Sequence, residues 1–135
     1  MANGRSGPPI YVFDSSSLIH LERRRRGLDI LSQLGDQVVI PSPVATEVRK
    51  PRTGLRDWLR RNQRCITGFL PQEGAIYLSM QVRASLGRGE SAAIAIALHR
   101  RAVLVTEDKP AIDVARSQNV ECISVEQLIE EAFMV

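Results

Sequence analysis

Cysteine and aromatic residues are both scarce in this 135-residue chain: two cysteines, three Phe, two Tyr and one Trp. Cys65 and Cys122 lie far apart, with no CxxC spacing and no companion histidine cluster. That excludes a disulfide scaffold and a zinc site, and predicts two free, mostly buried thiols in a reducing cytoplasm. Lysine is almost absent, since 16 of the 18 basic residues are Arg. No apolar run approaches the roughly 20 residues of a membrane span, so a soluble protein is expected. The opening MANGRSGPP has no apolar segment of signal-peptide length and reads as a disordered leader or expression remnant over residues 1–9. Residues 10–135 are expected to form one domain, long enough to bury a core without staples.

Charge is unevenly spread. Residues 1–64 carry 12 Lys or Arg against 6 Asp or Glu, whereas residues 65–135 carry 6 against 9. The basic half holds RRRR at 23–26, then Arg49, Lys50, Arg52, Arg56, Arg60, Arg61 and Arg64. The planar guanidinium suits phosphate, which makes a polyanion a reasonable partner, with Arg23, Arg24, Arg49, Lys50 and Arg52 as candidate RNA contacts. A solvated helix face is the plainer reading of the same spacing.

Short β-rich runs alternate with helical stretches. IYVF (10–13), VVI (38–40, stopped by Pro41), CITGFL (65–70), AVLVT (102–106) and VECIS read as strands. SSLIHLERR, LDILSQL, SPVATEVRK with Ser42 as cap, GLRDWLRRNQ, GAIYLSMQVRASLG, GESAAIAIALHRR, PAIDVARSQ and VEQLIEEAF read as helices. This rhythm predicts an α/β fold: a parallel sheet of four to five strands sandwiched by helices, whose crevice lies beyond the carboxyl ends of the strands.

Four acids stand where elements begin. Asp14 ends the first strand, Glu47 lies on an otherwise apolar helix, Glu90 opens the most apolar helix, and Asp108 follows AVLVT by two residues. Each has a plain alternative: Asp14 and Asp108 as helix caps, Glu47 paired with Lys50, Glu90 at the positive end of a helix dipole. A doubly wound sheet would gather all four, and like charges about 4 Å apart repel by about 4 kcal/mol at an effective dielectric of 20. They must protonate or hold a cation, and all-oxygen ligands suit Mg²⁺ or Mn²⁺. Joined to an Arg-rich face, such a site describes a metal-dependent nuclease.

FDSSSLI, PSPVATEV, GRGESAAIAIA and LVTED, in that order, resemble the motifs of PIN domains, small ribonucleases best known as VapC-type toxins of toxin–antitoxin pairs. The resemblance runs from about Ile10 to Leu128. It implies a PIN-like fold and cleavage of RNA phosphodiesters to a 3′-hydroxyl and a 5′-phosphate. It also implies Mg²⁺ or Mn²⁺ held by Asp14, Glu90 and Asp108, with Glu47 positioning or deprotonating the attacking water. Ser16 and Thr106 match supporting hydroxyl residues. The family pattern further implies a cytoplasmic homodimer silenced by an antitoxin, whose groove is expected within residues 17–64. Many members carry Asp-Thr-Asn where this chain has Asp14-Ser15-Ser16, and Asp where Glu90 stands; Glu107 and Asp113 are spare acids.

Other classes fit less well. A receiver domain needs paired acids after its first strand, and a haloacid dehalogenase-type phosphatase needs Asp-x-Asp where Ser16 stands. A catalytically silent RNA- or protein-binding module is the alternative. His20 and His99 lack ligand-spaced companions and read as structural. Trp58 reads as an anchor for its helix, and Tyr77, Met80 and Leu86 as core or subunit-contact residues.

Overall fold

The computed structural model describes residues 7–48 and 53–133. Among them, five parallel strands form one sheet in the order β3-β2-β1-β4-β5. The strands are β1 (Tyr11–Phe13), β2 (Val38–Pro41), β3 (Ile66–Thr67), β4 (Val103–Val105) and β5 (Cys122–Ile123). The connecting helices are α1 (Ser15–Arg23), α2 (Gly27–Leu34), α3 (Ser42–Val48), α4 (Thr53–Arg61), α5 (Pro71–Ala84), α6 (Arg88–Arg100), α7 (Lys109–Ser117) and α8 (Val125–Phe133). None is long and apolar enough to cross a membrane.

Alternate side chains on each strand point to opposite faces, and here both faces are buried. Tyr11, Phe13, Val103 and Val105 join Leu18, Leu21, Val44, Leu55, Leu59 and Leu128 in one core, built under α1–α4 and α8. Val12 and Leu104 point the other way, into a second core with Met80, Ile94, Ile96, Ala111 and Ala115 from α5–α7. The near-continuous apolar run Ala92–Ala97 is therefore central to the molecule: every residue in it is buried.

The chain winds outward from β1 through β2 to β3, then crosses back by α5 and α6 to place β4 on the other side of β1. The seam between β1 and β4 is the switch point, paired through Phe13 and Val105. The helices that follow the two strands pack on opposite faces of the sheet, α1 in the first core and α7 in the second, the arrangement in which a ligand crevice is expected at the strands' carboxyl ends. Asp14 leaves one strand and Thr106 the other.

Four boundaries stand out against the sequence reading. Pro41 does not stop β2 but closes it, in register with Thr67; as the last residue of the strand it lies beyond the pairs β2 makes with β1 at Val38 and Val39. CITGFL shrinks to Ile66–Thr67, because Cys65 lies in a 3-10 turn and Gly68 ends the pairing. Helix α5 begins at Pro71, before the expected Gly74: proline fits the first turn, and Glu73 Oε1 accepts the Leu70 N–H at 2.9 Å. The expected cap Ser42 is the first residue of α3.

Candidate active site

Asp14 is fully buried, and local sequence explains how that is sustained. As N-cap of α1, its Oδ1 accepts the Ser17 N–H at 3.0 Å and the Ser16 hydroxyl at 2.8 Å. Oδ2 accepts the Thr106 hydroxyl from the neighbouring strand exit. Burial pushes this carboxyl above its ordinary range, and the donated hydrogen bonds only partly oppose it.

Thr106, also buried, is a junction. Its Oγ1 accepts the Asp108 N–H at 3.0 Å and lies 3.2 Å from Ser16 Oγ, which in turn accepts the Glu107 N–H at 2.9 Å. The β4–α7 turn is thus fastened to the β1–α1 turn. Asp108 caps α7, its Oδ2 accepting the Ala111 N–H at 3.0 Å. Both Asp14 and Asp108 are caps as well as crevice acids; the two readings are compatible, because a cap uses one or two lone pairs of a carboxylate that has about four.

Glu90 is the third residue of α6 and half-buried. Its ionisation is disfavoured first by burial and then by the charges of Glu47, Asp14 and Asp108, so its carboxyl is raised above the ordinary range. Glu47 is exposed at its residue surface, yet its Oε1 accepts the hydroxyl of the buried Ser15. Two glycines make room for these glutamates. A Cβ at Gly87 would lie 2.5 Å from Glu90 Oε1, and one at Gly89 would lie 2.5 Å from Glu47 Oε1. Glu47, Asp14 and Asp108 all lie near enough to bear electrostatically on Glu90.

Among the described residues, no Lys or Arg forms an ion pair with any of the four. Nor do three Asp, Glu, His or Cys side chains there form a ready-made metal cage. The donor set is oxygen only, carries excess negative charge, and stays spread out. Those features fit a hard divalent ion that keeps several waters and takes one or two carboxylates directly.

The remaining candidates separate cleanly. Glu107 turns away: its Oε2 accepts the Val125 N–H at 2.7 Å and caps α8. Asp113 pairs with Lys109 at 3.2 Å on an exposed face. Arg23 and Arg24 are exposed at the end of α1, nine or more residues along the chain from Asp14, and Arg24 pairs with Glu126 at 2.7 Å. Arg49, Lys50 and Arg52 lie outside the described residues, as does most of the expected leader. His20 stands 3.5 Å from Glu126 and His99 2.8 Å from Glu73; Trp58 is buried, its indole N–H donating to Ser32 Oγ at 2.9 Å. Sequence reasoning missed Ser15 and Gly89. The available signal was glycine inside a helix, where it is the poorest ordinary residue.

A parallel sheet wound in both directions from β1, with Asp14 and Asp108 capping the helices that follow its two central strands, defines a doubly wound α/β domain. A PIN-domain family model matches residues 10–132, and the chain belongs to that family. No curated protein matches it in sequence. Among solved structures, the fold is similar to PAE2754 from Pyrobaculum aerophilum (18% identity, TM-score 0.62, covering 91% of this chain and 96% of that one). It is also similar to VapBC2 from Rickettsia felis, bound to a DNA fragment from their promoter (17%, 0.61, 85% and 98%), and to FitAcB from Neisseria gonorrhoeae (16%, 0.58, 87% and 99%).

Proposed function

We propose that the chain is a divalent-metal-dependent endoribonuclease that hydrolyses RNA phosphodiester bonds and serves as the toxin of a toxin–antitoxin pair. The observation that supports this reading is that Glu47, Asp14 and Asp108 all disfavour ionisation of Glu90, with no Lys or Arg among the described residues paired to any of the four. Membership of the PIN-domain family supports nuclease chemistry. Likeness to VapBC2, FitAcB and a toxin–antitoxin complex from Klebsiella pneumoniae supports an antitoxin partner. A cytoplasmic homodimer completes the reading.

Asp14, Glu90 and Asp108 would hold the Mg²⁺ or Mn²⁺. Such an ion, when bound, lowers the pKa of water and stabilises charge on a phosphoryl oxygen. The chain's own residues prepare the site. Thr106, Ser16 and the Ser17 N–H fix the Asp14 carboxylate in one orientation, so little rotamer freedom remains to be lost on loading. Glu47, held by Ser15, orients the attacking water and accepts its proton. Arg23, Arg24, Arg49, Lys50 and Arg52 take the RNA backbone.

The test is cleavage of a labelled single-stranded RNA by the purified full chain in Mn²⁺, against the same reaction in EDTA. Cleavage that needs the ion and vanishes in Asp14→Asn is expected. Cleavage unchanged by either treatment, or none under any ion, overturns the proposal; in the second case the silent binding module stands.

A further inference from the structure

Ser15 and Gly89 come from two different helices and meet the same carboxylate oxygen of Glu47. Ser15 opens α1, Gly89 is the second residue of α6, and Glu47 lies near the end of α3; α3 packs on both α1 and α6. An exposed glutamate has three rotatable bonds and ordinarily samples many rotamers, losing substantial entropy when fixed. This one is confined. Ser15, itself buried, donates its hydroxyl to Glu47 Oε1. Gly89 is buried beside them, and a Cβ there would lie 2.5 Å from the same oxygen, 3.2 Å from Ser15 Oγ and 3.3 Å from Val44 Cγ2.

The glycine has no backbone reason to be there. Its φ is not in the left-handed region, and it sits within a helix, where alanine is favoured. What a side chain would strike is the far end of Glu47, the most movable neighbour present. The residue choice therefore spares the carboxylate's position rather than the helix.

We propose that Ser15 and Gly89 form a clamp that sets the Glu47 carboxylate in the crevice, and that both are positioning residues acting through Glu47. This rests on the nuclease reading for its consequence, though the clamp itself does not. Ser15 supplies the attraction that selects the rotamer; Gly89 supplies the space that rotamer fills. Removing either leaves Glu47 present but misplaced, and misplacement of a reacting group by about 1 Å lowers turnover by about 100-fold.

Three single variants of the full chain test it: Ser15→Ala, Ser15→Thr and Gly89→Ala. In Mn²⁺, Ser15→Ala and Gly89→Ala lower kcat by about 10- to 100-fold with little change in KM, and Ser15→Thr recovers most of the loss because it keeps the hydroxyl. Gly89→Ala remains folded with little loss of stability, since the one severe clash is with a flexible side-chain end and Ser15 Oγ and Val44 Cγ2 need shift by only a few tenths of an ångström. In a Glu47→Gln background neither substitution lowers kcat further. Full kcat in Gly89→Ala, or undiminished losses in the Glu47→Gln background, overturns the clamp.

A readout without activity separates this from the nuclease reading. In the wild-type protein, NMR cross-relaxation between the Glu47 Hγ and Gly89 Hα protons is expected, and it disappears in Ser15→Ala. If that contact is seen in a protein that cleaves nothing, the clamp stands and the nuclease reading falls. If it is absent from the wild type, the clamp falls whatever the activity.

Discussion

Thr106, which follows β4, donates its hydroxyl to Oδ2 of Asp14, which follows β1, so the two central strands are joined at their carboxyl ends by the side chains that open the crevice. The Thr106 Oγ1 itself accepts the Asp108 N–H at 3.0 Å. Thr106→Val keeps the shape and removes the hydroxyl, leaving a buried carboxylate short of a donor and a half-buried amide short of an acceptor. A loss of about 2–3 kcal/mol is expected in urea denaturation, with a parallel fall in RNA cleavage. Thr106→Ser keeps both bonds and loses one methyl, about 1 kcal/mol, with cleavage largely kept. Equal behaviour of the two variants would assign Thr106 to packing alone.

The raised carboxyls of Asp14 and Glu90 predict an unusual pH profile in EDTA. Asp14 and Glu90 both titrate above the ordinary carboxylate range, burial being the first cause in each case. A group whose folded pKa exceeds its unfolded value binds its proton more tightly in the native state. Its contribution to stability is complete below the unfolded value of about 4 and is lost as pH rises through the folded value.

In EDTA, therefore, the crevice lowers the unfolding midpoint as pH is taken from about 4.5 to 7. Glu73 has the opposite sign but a lower window. Burial acts to raise it, yet hydrogen bonds from Arg100, the Leu70 N–H and His99 bring it down to about 2, so its contribution is present above 4.5 and lost as pH falls through about 2. Mn²⁺ at 100 times its Kd adds about 2.7 kcal/mol and offsets the decline. In Asp14→Asn the slope is shallower and the Mn²⁺ shift is lost. A Mn²⁺ shift of full size in that variant contradicts the assignment.

Much of this architecture was legible in the sequence because its cues are local. AVLVT and IYVF are short apolar runs buried on both faces, and the Ala92–Ala97 stretch has no polar side to offer solvent. Asp14 and Asp108 stand out for the same reason, each ending such a run. What stayed hidden depends on partners distant along the chain. Ser15 and Glu47 are 32 residues apart, and the space Gly89 leaves becomes visible only once α3 lies beside α6. Glu73 gave no local signal either: the Arg100 that neutralises it is 27 residues away. Strand β3 was over-read because the apolar residues beyond Thr67 serve packing rather than pairing, as where Phe69 meets Tyr77 with ring centroids 4.7 Å apart.

Glu107 and Asp108 are adjacent acids whose side chains part company, and paired amide substitutions separate their roles. Glu107 Oε2 accepts the Val125 N–H, whereas Asp108 bears electrostatically on Glu90 while capping α7. Glu107→Gln keeps an oxygen for the cap and is expected to cleave RNA within about 2-fold of wild type, at a stability change of about 0.5 kcal/mol. Asp108→Asn also keeps its cap, since Asn caps as well as Asp, but lowers cleavage by about 100-fold or more. Side-by-side rates in Mn²⁺ decide the matter, and a reversed order would place Glu107 in the crevice instead.

A second buried carboxylate lies away from the crevice, at the other end of α6 from Glu90. Glu73 is fully buried; its Oε2 accepts Arg100 Nε at 2.7 Å and its Oε1 accepts Arg100 Nη2 at 2.9 Å, a bidentate pair. Arg100 Nη2 also donates to Thr67 Oγ1 at 3.1 Å and to the Gly68 carbonyl at 3.2 Å, which ties the exit of β3 to the start of α5 and the end of α6. Breaking a buried pair from one side strands the remaining charge, so Glu73→Gln is expected to lose about 3 kcal/mol in urea denaturation. Glu73→Gln combined with Arg100→Met removes both charges and recovers part of that loss. Because the pair stands about 15 Å along α6 from Glu90, by 1.5 Å per residue, cleavage per folded molecule stays at the wild-type level in both. A fall in specific activity that tracks the loss of the ion pair, with folding intact, would show that the far end of α6 positions Glu90.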